Sequence, residues 1–146
     1  MKPVGEVLKS KASQKVHIIA PDASVLDAIK SMAEHGIGAL LVMENDRVVG
    51  IVTERDYSRK VILMNRSSST TPVRDIMTGN VIYVRPGDSN EYCMALMTEK
   101  RLRHLPVMDD GNLIGMVSIG DLVKDIIQEQ EFIITQLERY ISGVKG

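Results

Sequence analysis

Two short stretches carry the residues best placed for chemistry: Thr53-Glu54-Arg55-Asp56 and Ser118-Ile119-Gly120-Asp121. Each puts a hydroxyl three places before an aspartate. Each also follows a glycine and two apolar residues, Gly50-Ile51-Val52 and Gly115-Met116-Val117. A carboxylate at such a spot can accept two hydrogen bonds from a vicinal diol, as a ribose-binding acid does in other nucleotide folds. The hydroxyl can bond sugar or phosphate, and a helix opening there would aim backbone N–H groups and a positive dipole end at an anion. The same spacing also has a local use. A Ser or Thr followed three residues later by an acid, ahead of an apolar helix, is the pattern of a capping box. The two uses are compatible: the cap is the scaffold and the diol contact its use.

The elements that position these residues are written twice. Gly50 to Gly115 and Asp56 to Asp121 share an offset of 65 residues, and so do Pro21/Pro86, Ser24/Ser89, Met32/Met97, Leu40/Leu105 and Val42/Val107. Upstream, Val4-Gly5-Glu6-Val7-Leu8 matches Val73-Arg74-Asp75-Ile76-Met77 at an offset of 69. One unit has been duplicated, and that constrains the fold more than any local pattern. In the first copy, Val16-His17-Ile18-Ile19 predicts a strand stopped at Pro21. Ser24 predicts a helix cap, and Val25, Ile29, Met32 and Ala33 predict one apolar helix face. Gly36 predicts a left-handed helix end. Strands over 39–43 and 48–52 flank a turn at Glu44-Asn45-Asp46-Arg47, and a helix then carries Tyr57, Val61 and Ile62. The second copy predicts a strand over 81–84, a helix over Met94 and Met97, strands over 105–108 and 113–117, and a helix from Asp121.

Between the copies, Asn65-Arg66-Ser67-Ser68-Ser69-Thr70-Thr71-Pro72 is polar and closed by proline, which predicts a linker. The expected organisation is a first repeat over 4–64, this linker over 65–72, a second repeat over 73–127 and a helical extension over 128–146. Each copy is a β-α-β-β-α unit with too small a core to stand alone comfortably, so the two should pack together. The fold class is α/β (α+β). Along the last helix, Leu122, Ile126, Ile127, Ile133, Ile134, Leu137 and Ile141 recur at helical spacing, which predicts packing on a partner chain or back on its own module, with a homodimer the expected assembly.

Composition narrows the function. The 146 residues have a net charge of −1 and contain no Trp, one Phe and four Tyr. Nothing there favours nucleic acid or membrane surfaces. No apolar run nears the roughly 18 residues of a spanning helix. Met1-Lys2-Pro3-Val4-Gly5 does not read as the start of a signal peptide. A single cysteine, Cys93, makes no internal disulfide, so the expected setting is cytoplasmic. Cys93 aligns with Ala28 on a helix core side and reads as packing, with no base placed to activate it. His17, His35 and His104 lack metal-ligand spacing, so no metal is expected. Gly36-Ile37-Gly38 precedes a strand and lacks a third glycine, which excludes a dinucleotide fingerprint. Lys9, Lys11 and Lys15 read as a solvated loop, with a phosphate contact as the alternative.

The tandem order of strand, helix, strand and Gly-h-h-[Thr/Ser]-x-x-Asp, with Leu105-Pro106-Val107 ahead of the second motif and Met77-Thr78 opening the second copy, resembles the paired CBS-domain regulatory module. The resemblance covers residues 4–127. It implies two repeats in pseudo-twofold contact that bind AMP, ADP, ATP or a dinucleotide such as NAD in clefts between them, often dimerised into a flat disc. The implied first site uses Thr53, Arg55 and Asp56 with Thr78, Val81, Ile82, Leu102, Arg103 and His104. The implied second site uses Ser118 and Asp121 with Val16, His17, Ile37, Gly38 and Ala39. The copies differ: Arg103-His104 stand where the first has Gly38-Ala39, and Glu54-Arg55 become Ile119-Gly120. The first site is therefore expected to bind phosphorylated ligand better. No catalytic set appears, so the expectation is a nucleotide-sensing regulator of an unidentified protein and not an enzyme. The alternative is a dimerisation module with degenerate nucleotide sites.

Overall fold

The computed structural model describes residues 2–11 and 15–142 of the 146. Part of the loop expected over 9–15 and the last four residues of the expected extension lie outside the described residues. The chain forms a mixed α/β fold that divides into two compact units, one of Lys15–Ile82 and one of Met1–Gln14 with Tyr83–Gly146.

In the unit of Lys15–Ile82, strand β1 (Ile18–Ile19) runs parallel to β2 (Ala39–Glu44), and β2 pairs antiparallel with β3 (Arg47–Thr53). The β2–β3 turn places Asn45 and Asp46 at φ 52° and 61°. Two left-handed central residues give the tight hairpin that matches strand twist. Helix α2 (Val25–His35) starts at Ser24, whose side chain accepts from the Asp27 amide, and stops at Gly36 in the left-handed region at φ 64°. Its buried residues, Val25, Ala28 and Met32, share one face against Leu40, Val42 and Val52. A four-residue helix α3 (Glu54–Tyr57) passes into wider π turns over Ser58–Ile62, which bury Val61.

The expected linker is no free tether. The Thr71 and Ser68 carbonyls accept from the Val25 and Leu26 amides at 2.8 and 2.9 Å, donors that a helix N-terminus leaves unpaired. Beyond it, a 3-10 turn (Val73–Asp75) contributes Val73 to the core of this unit, and Ile76 joins it there. The opening segment of the second copy thus completes the core of the first.

The other unit mirrors this. Helix α1 (Val4–Lys9) buries Val4, Val7 and Leu8 and lies against α4 (Asn90–Lys100), β5 (Asn112–Ser118) and α5 (Ile119–Ser142). The opening segment of the first copy therefore completes the second. Strand β4 (His104–Asp109) pairs antiparallel with β5 through a turn with Asp110 and Gly111 at φ 51° and 81°. The buried face of α4 is Asn90, Cys93 and Met97. Asn90 stands where the first copy has Val25, and its amide donates to the Leu122 carbonyl and to Asp125 at 3.1 and 3.0 Å. Asp125, 4% exposed, also pairs with Lys2 at 2.9 Å.

One expected strand is absent. Residues 81–84 form no ladder, and only Val84 bridges to Val107. In the first copy the Leu41 amide donates to the His17 carbonyl at 3.2 Å. Pro106 occupies the equivalent place and has no N–H, so the second ladder shrinks to one bridge. The first strand is also shorter than expected, two residues instead of four.

The two motif glycines admit the exchanged segments. A Cβ on Gly50 would meet the Met77 sulfur at 2.5 Å and the Thr78 carbonyl oxygen at 3.0 Å. A Cβ on Gly115 would meet a Leu8 methyl at 2.8 Å. Leu8 and Met77 are equivalent positions of the two copies, so each glycine makes room for the other copy's opening segment.

Candidate functional site

The first junction lies where β3 meets α3. Thr53 pairs with Ala39 in the β2–β3 ladder, and the Glu54 amide donates to the Gly38 carbonyl at 3.1 Å. Thr53 Oγ1 accepts from the Asp56 amide at 3.1 Å, while Asp56 Oδ2 accepts from the Thr53 amide at 3.0 Å and from its hydroxyl at 3.1 Å. This is the reciprocal capping box expected from the spacing. Lys60, one turn along, has its ammonium 3.3 Å from Asp56 Oδ1 and donates to the Ile76 carbonyl at 2.8 Å. Thr78 joins the same sheet edge: its amide donates to the Ile51 carbonyl and its carbonyl accepts from the Ile51 amide. Arg55 is exposed on the first turn of α3, and Val81 and Ile82 are half-buried beyond Thr78.

Val16, His17 and Ile37 lie in this same unit. The His17 ring stacks on His35 with centroids 3.8 Å apart. Burial lowers the His17 pKa, and the charges of His35 and Lys15 lower it further.

The second junction repeats the first with different neighbours. Ser118 pairs with His104 in the β4–β5 ladder, and the Ile119 amide donates to the Arg103 carbonyl at 2.8 Å. The Ser118 amide donates to Asp121 Oδ2 at 2.8 Å, and Ser118 Oγ accepts from the Asp121 amide at 3.1 Å. The Lys11 ammonium lies 2.9 Å from the same Oδ2 and donates to the Met116 carbonyl at 2.9 Å. Burial pushes the Asp121 carboxyl up, but the Ser118 amide and the Lys11 ammonium together outweigh it and hold the group below its ordinary value. His104 is lowered, first by burial and then by Lys11 and Arg103, with Asp121 opposing. Leu102 follows the end of α4, its amide donating to the Met97 carbonyl at 2.9 Å.

Each set of residues implied by the family resemblance therefore draws on both units. Leu102, Arg103 and His104, grouped with Asp56, lie in the unit of Ser118 and Asp121, where His104 pairs with Ser118 and the Arg103 carbonyl accepts from the Ile119 amide. Gly38 and Ala39, grouped with Asp121, flank Thr53. Two lysines were missed. Lys60 had a readable signal, its i+4 spacing from Asp56. Lys11 was expected in a solvated loop and instead pairs with Asp121, a contact for which no local pattern exists.

Cys93 is fully buried and its thiol is pushed up to about 11 by burial. Among the described residues no cluster of three or more His, Cys, Asp or Glu side chains could hold a metal ion. No described helix is long and apolar enough to cross a membrane.

The CBS domain profile matches residues 4–62 and 73–128. The mitochondrial CBS domain-containing protein CBSX3 of Arabidopsis thaliana is 43% identical over 148 residues, covering 96% of this chain and 72% of the relative. A solved CBS-domain protein from Burkholderia ambifaria, whose suggested role is signal transduction, is 55% identical with a TM-score of 0.86, covering 88% of this chain and 96% of that one. A hexameric CBS-CP12 protein from bloom-forming cyanobacteria is 30% identical with a TM-score of 0.75, covering 100% and 89%. The duplicated strand-to-helix junctions and these matches agree: the chain belongs to the CBS-domain family, whose paired domains are regulatory modules that generally sense nucleotides.

Proposed function

We propose that this protein senses an adenosine-containing nucleotide, AMP, ADP, ATP or a dinucleotide such as NAD, and reports its level to a regulated protein without catalysing a reaction. The observation that carries the proposal is the pair of capping boxes, Thr53 with Asp56 and Ser118 with Asp121. Each holds a carboxylate at a strand-to-helix junction beside a hydroxyl, ready to accept from sugar hydroxyls. The residue sets implied by the family resemblance remain the proposed contacts. The first set, with Arg103 and His104, remains the one proposed to take the phosphorylated ligand, since in the second Lys11 already neutralises Asp121. A homodimer in the cytoplasm is part of the proposal.

A second reading is favoured by one fact: both carboxylates already accept from their own helix starts, and Lys11 neutralises Asp121. On that reading the junctions are structural, and the protein acts by dimerisation alone. Purified protein should carry or bind adenine nucleotide, read as absorbance near 260 nm, mass spectrometry of the released ligand and calorimetric titration with AMP, ATP and NAD. A ligand that prefers the native state also raises the melting temperature. No heat of binding and no melting shift with any of the three would leave the structural reading.

A further inference from the structure

Helix α5 uses different faces for different purposes. Its first turns dock on their own unit through Leu122 and Asp125, both buried. A second stripe, Val123, Ile127, Ile134, Leu137 and Ile141, is 38% to 82% exposed. With Gln130 between Ile127 and Ile134, its steps alternate four and three residues, the period of a coiled-coil seam. Taking Ile127, Ile134 and Ile141 as a positions, Val123, Gln130 and Leu137 fall at d. Ile126, Ile133 and Tyr140 then fall at g, and Lys124, Glu131 and Glu138 at e. The CBS match stops at residue 128, so most of this stripe lies beyond the duplicated fold.

The order of charges selects the occupant and its direction. In a parallel pair, e faces g, which would set Glu131 and Glu138 against Ile126 and Ile133 with no cation to answer them. In an antiparallel pair centred on residue 132, every a meets a d: Val123 with Ile141, Ile127 with Leu137, Gln130 with Ile134. One edge then stacks Ile133 on Ile133. The other sets Lys124 against Glu138 at both ends, with Glu131 facing its own copy between them. We infer that α5 pairs antiparallel with α5 of a second copy of this chain. The pairing rests on this register and not on nucleotide binding.

A spin label on Ser142→Cys in the full chain tests it, since Cys93 is buried. At 1.5 Å per residue the antiparallel pair puts the two labels about 30 Å apart, whereas a parallel pair puts them about 10 Å apart. The expected result is a dipolar distance near 30 Å that disappears in Ile134→Glu/Leu137→Lys. Lys124→Glu should weaken self-association about tenfold, and Lys124→Glu/Glu138→Lys should restore it. A short distance, no dipolar coupling, a 30 Å distance that survives the double apolar substitution, or failure of the charge swap to restore association would each overturn the pairing.

Discussion

The ammonium of Lys11 and the carboxylate of Asp121 lie 2.9 Å apart, joining the end of the first opening segment to the second motif. Both side chains are about one-quarter exposed, so the pair is worth about 1 kcal/mol. The Asp121 pKa is depressed in the folded state, so its contribution is present above the ordinary aspartate value of about 3.9 and is lost as pH falls through the folded value. Lys11→Met should therefore lower the melting temperature by about 2–4 °C at pH 7. The deficit should shrink as pH falls below the ordinary aspartate value. An equal deficit at pH 7 and pH 2.5 would assign the loss to packing of the lysine stem.

Gly50→Ala should destabilise more than Gly115→Ala. At Gly50 the added methyl meets the Thr78 carbonyl oxygen, whose backbone is pinned by paired hydrogen bonds with Ile51. At Gly115 it meets only the branched end of Leu8, which can turn aside. Urea unfolding should give losses of about 2–3 kcal/mol for Gly50→Ala and about 1 kcal/mol for Gly115→Ala. Equal losses would contradict the distinction.

Arg101 occupies the place of Gly36 and carries the same left-handed conformation, φ 57° against 64°. A side chain there costs about 1 kcal/mol that glycine avoids. Arg101→Gly should raise the melting temperature by a few degrees, read by calorimetry. Gly36→Arg should lower it by a similar amount.

Asp56→Ala and Asp121→Ala separate the two junctions. If the first set takes the phosphorylated ligand, Asp56→Ala should cost at least tenfold in ATP affinity and Asp121→Ala less. Isothermal titration reads both, and the opposite order would overturn the ranking expected from sequence.

The Cys93 thiol, fully buried and pushed up to about 11, should resist a chromogenic disulfide reagent at pH 8 in the native protein. It should react stoichiometrically in denaturant. Rapid native labelling would show that α4 opens readily.

Much of the fold was legible because it is repeated. The caps at Ser24, Thr53 and Ser118, the left-handed Gly36 and both hairpin turns follow from local chemistry, and each forms where the pattern put it. The missing strand over 81–84 was also encoded, in Pro106, but only a partner strand makes a lost donor matter. The exchange of opening segments was not legible. Val4, Val7 and Leu8 and their counterparts Val73, Ile76 and Met77 are similar in shape and polarity, so no pattern says which sheet either segment covers. The position of Lys11 follows from that exchange and was hidden for the same reason.

The crossed ownership of the two cores bears on how the chain is made. A ribosome releases residues 2–11 well before residues 119–142, so the surface that shelters Val4, Val7 and Leu8 is not finished until α5 has been synthesised. At about 5–20 residues per second the nascent chain would trail that apolar helix unsheltered for several seconds. Residues 15–82, by contrast, can close as soon as they emerge. A gene fragment encoding only the first repeat would strand α1 without its seat and leave its own core short of Val73 and Ile76, so the two halves of this gene cannot be inherited or expressed separately without loss.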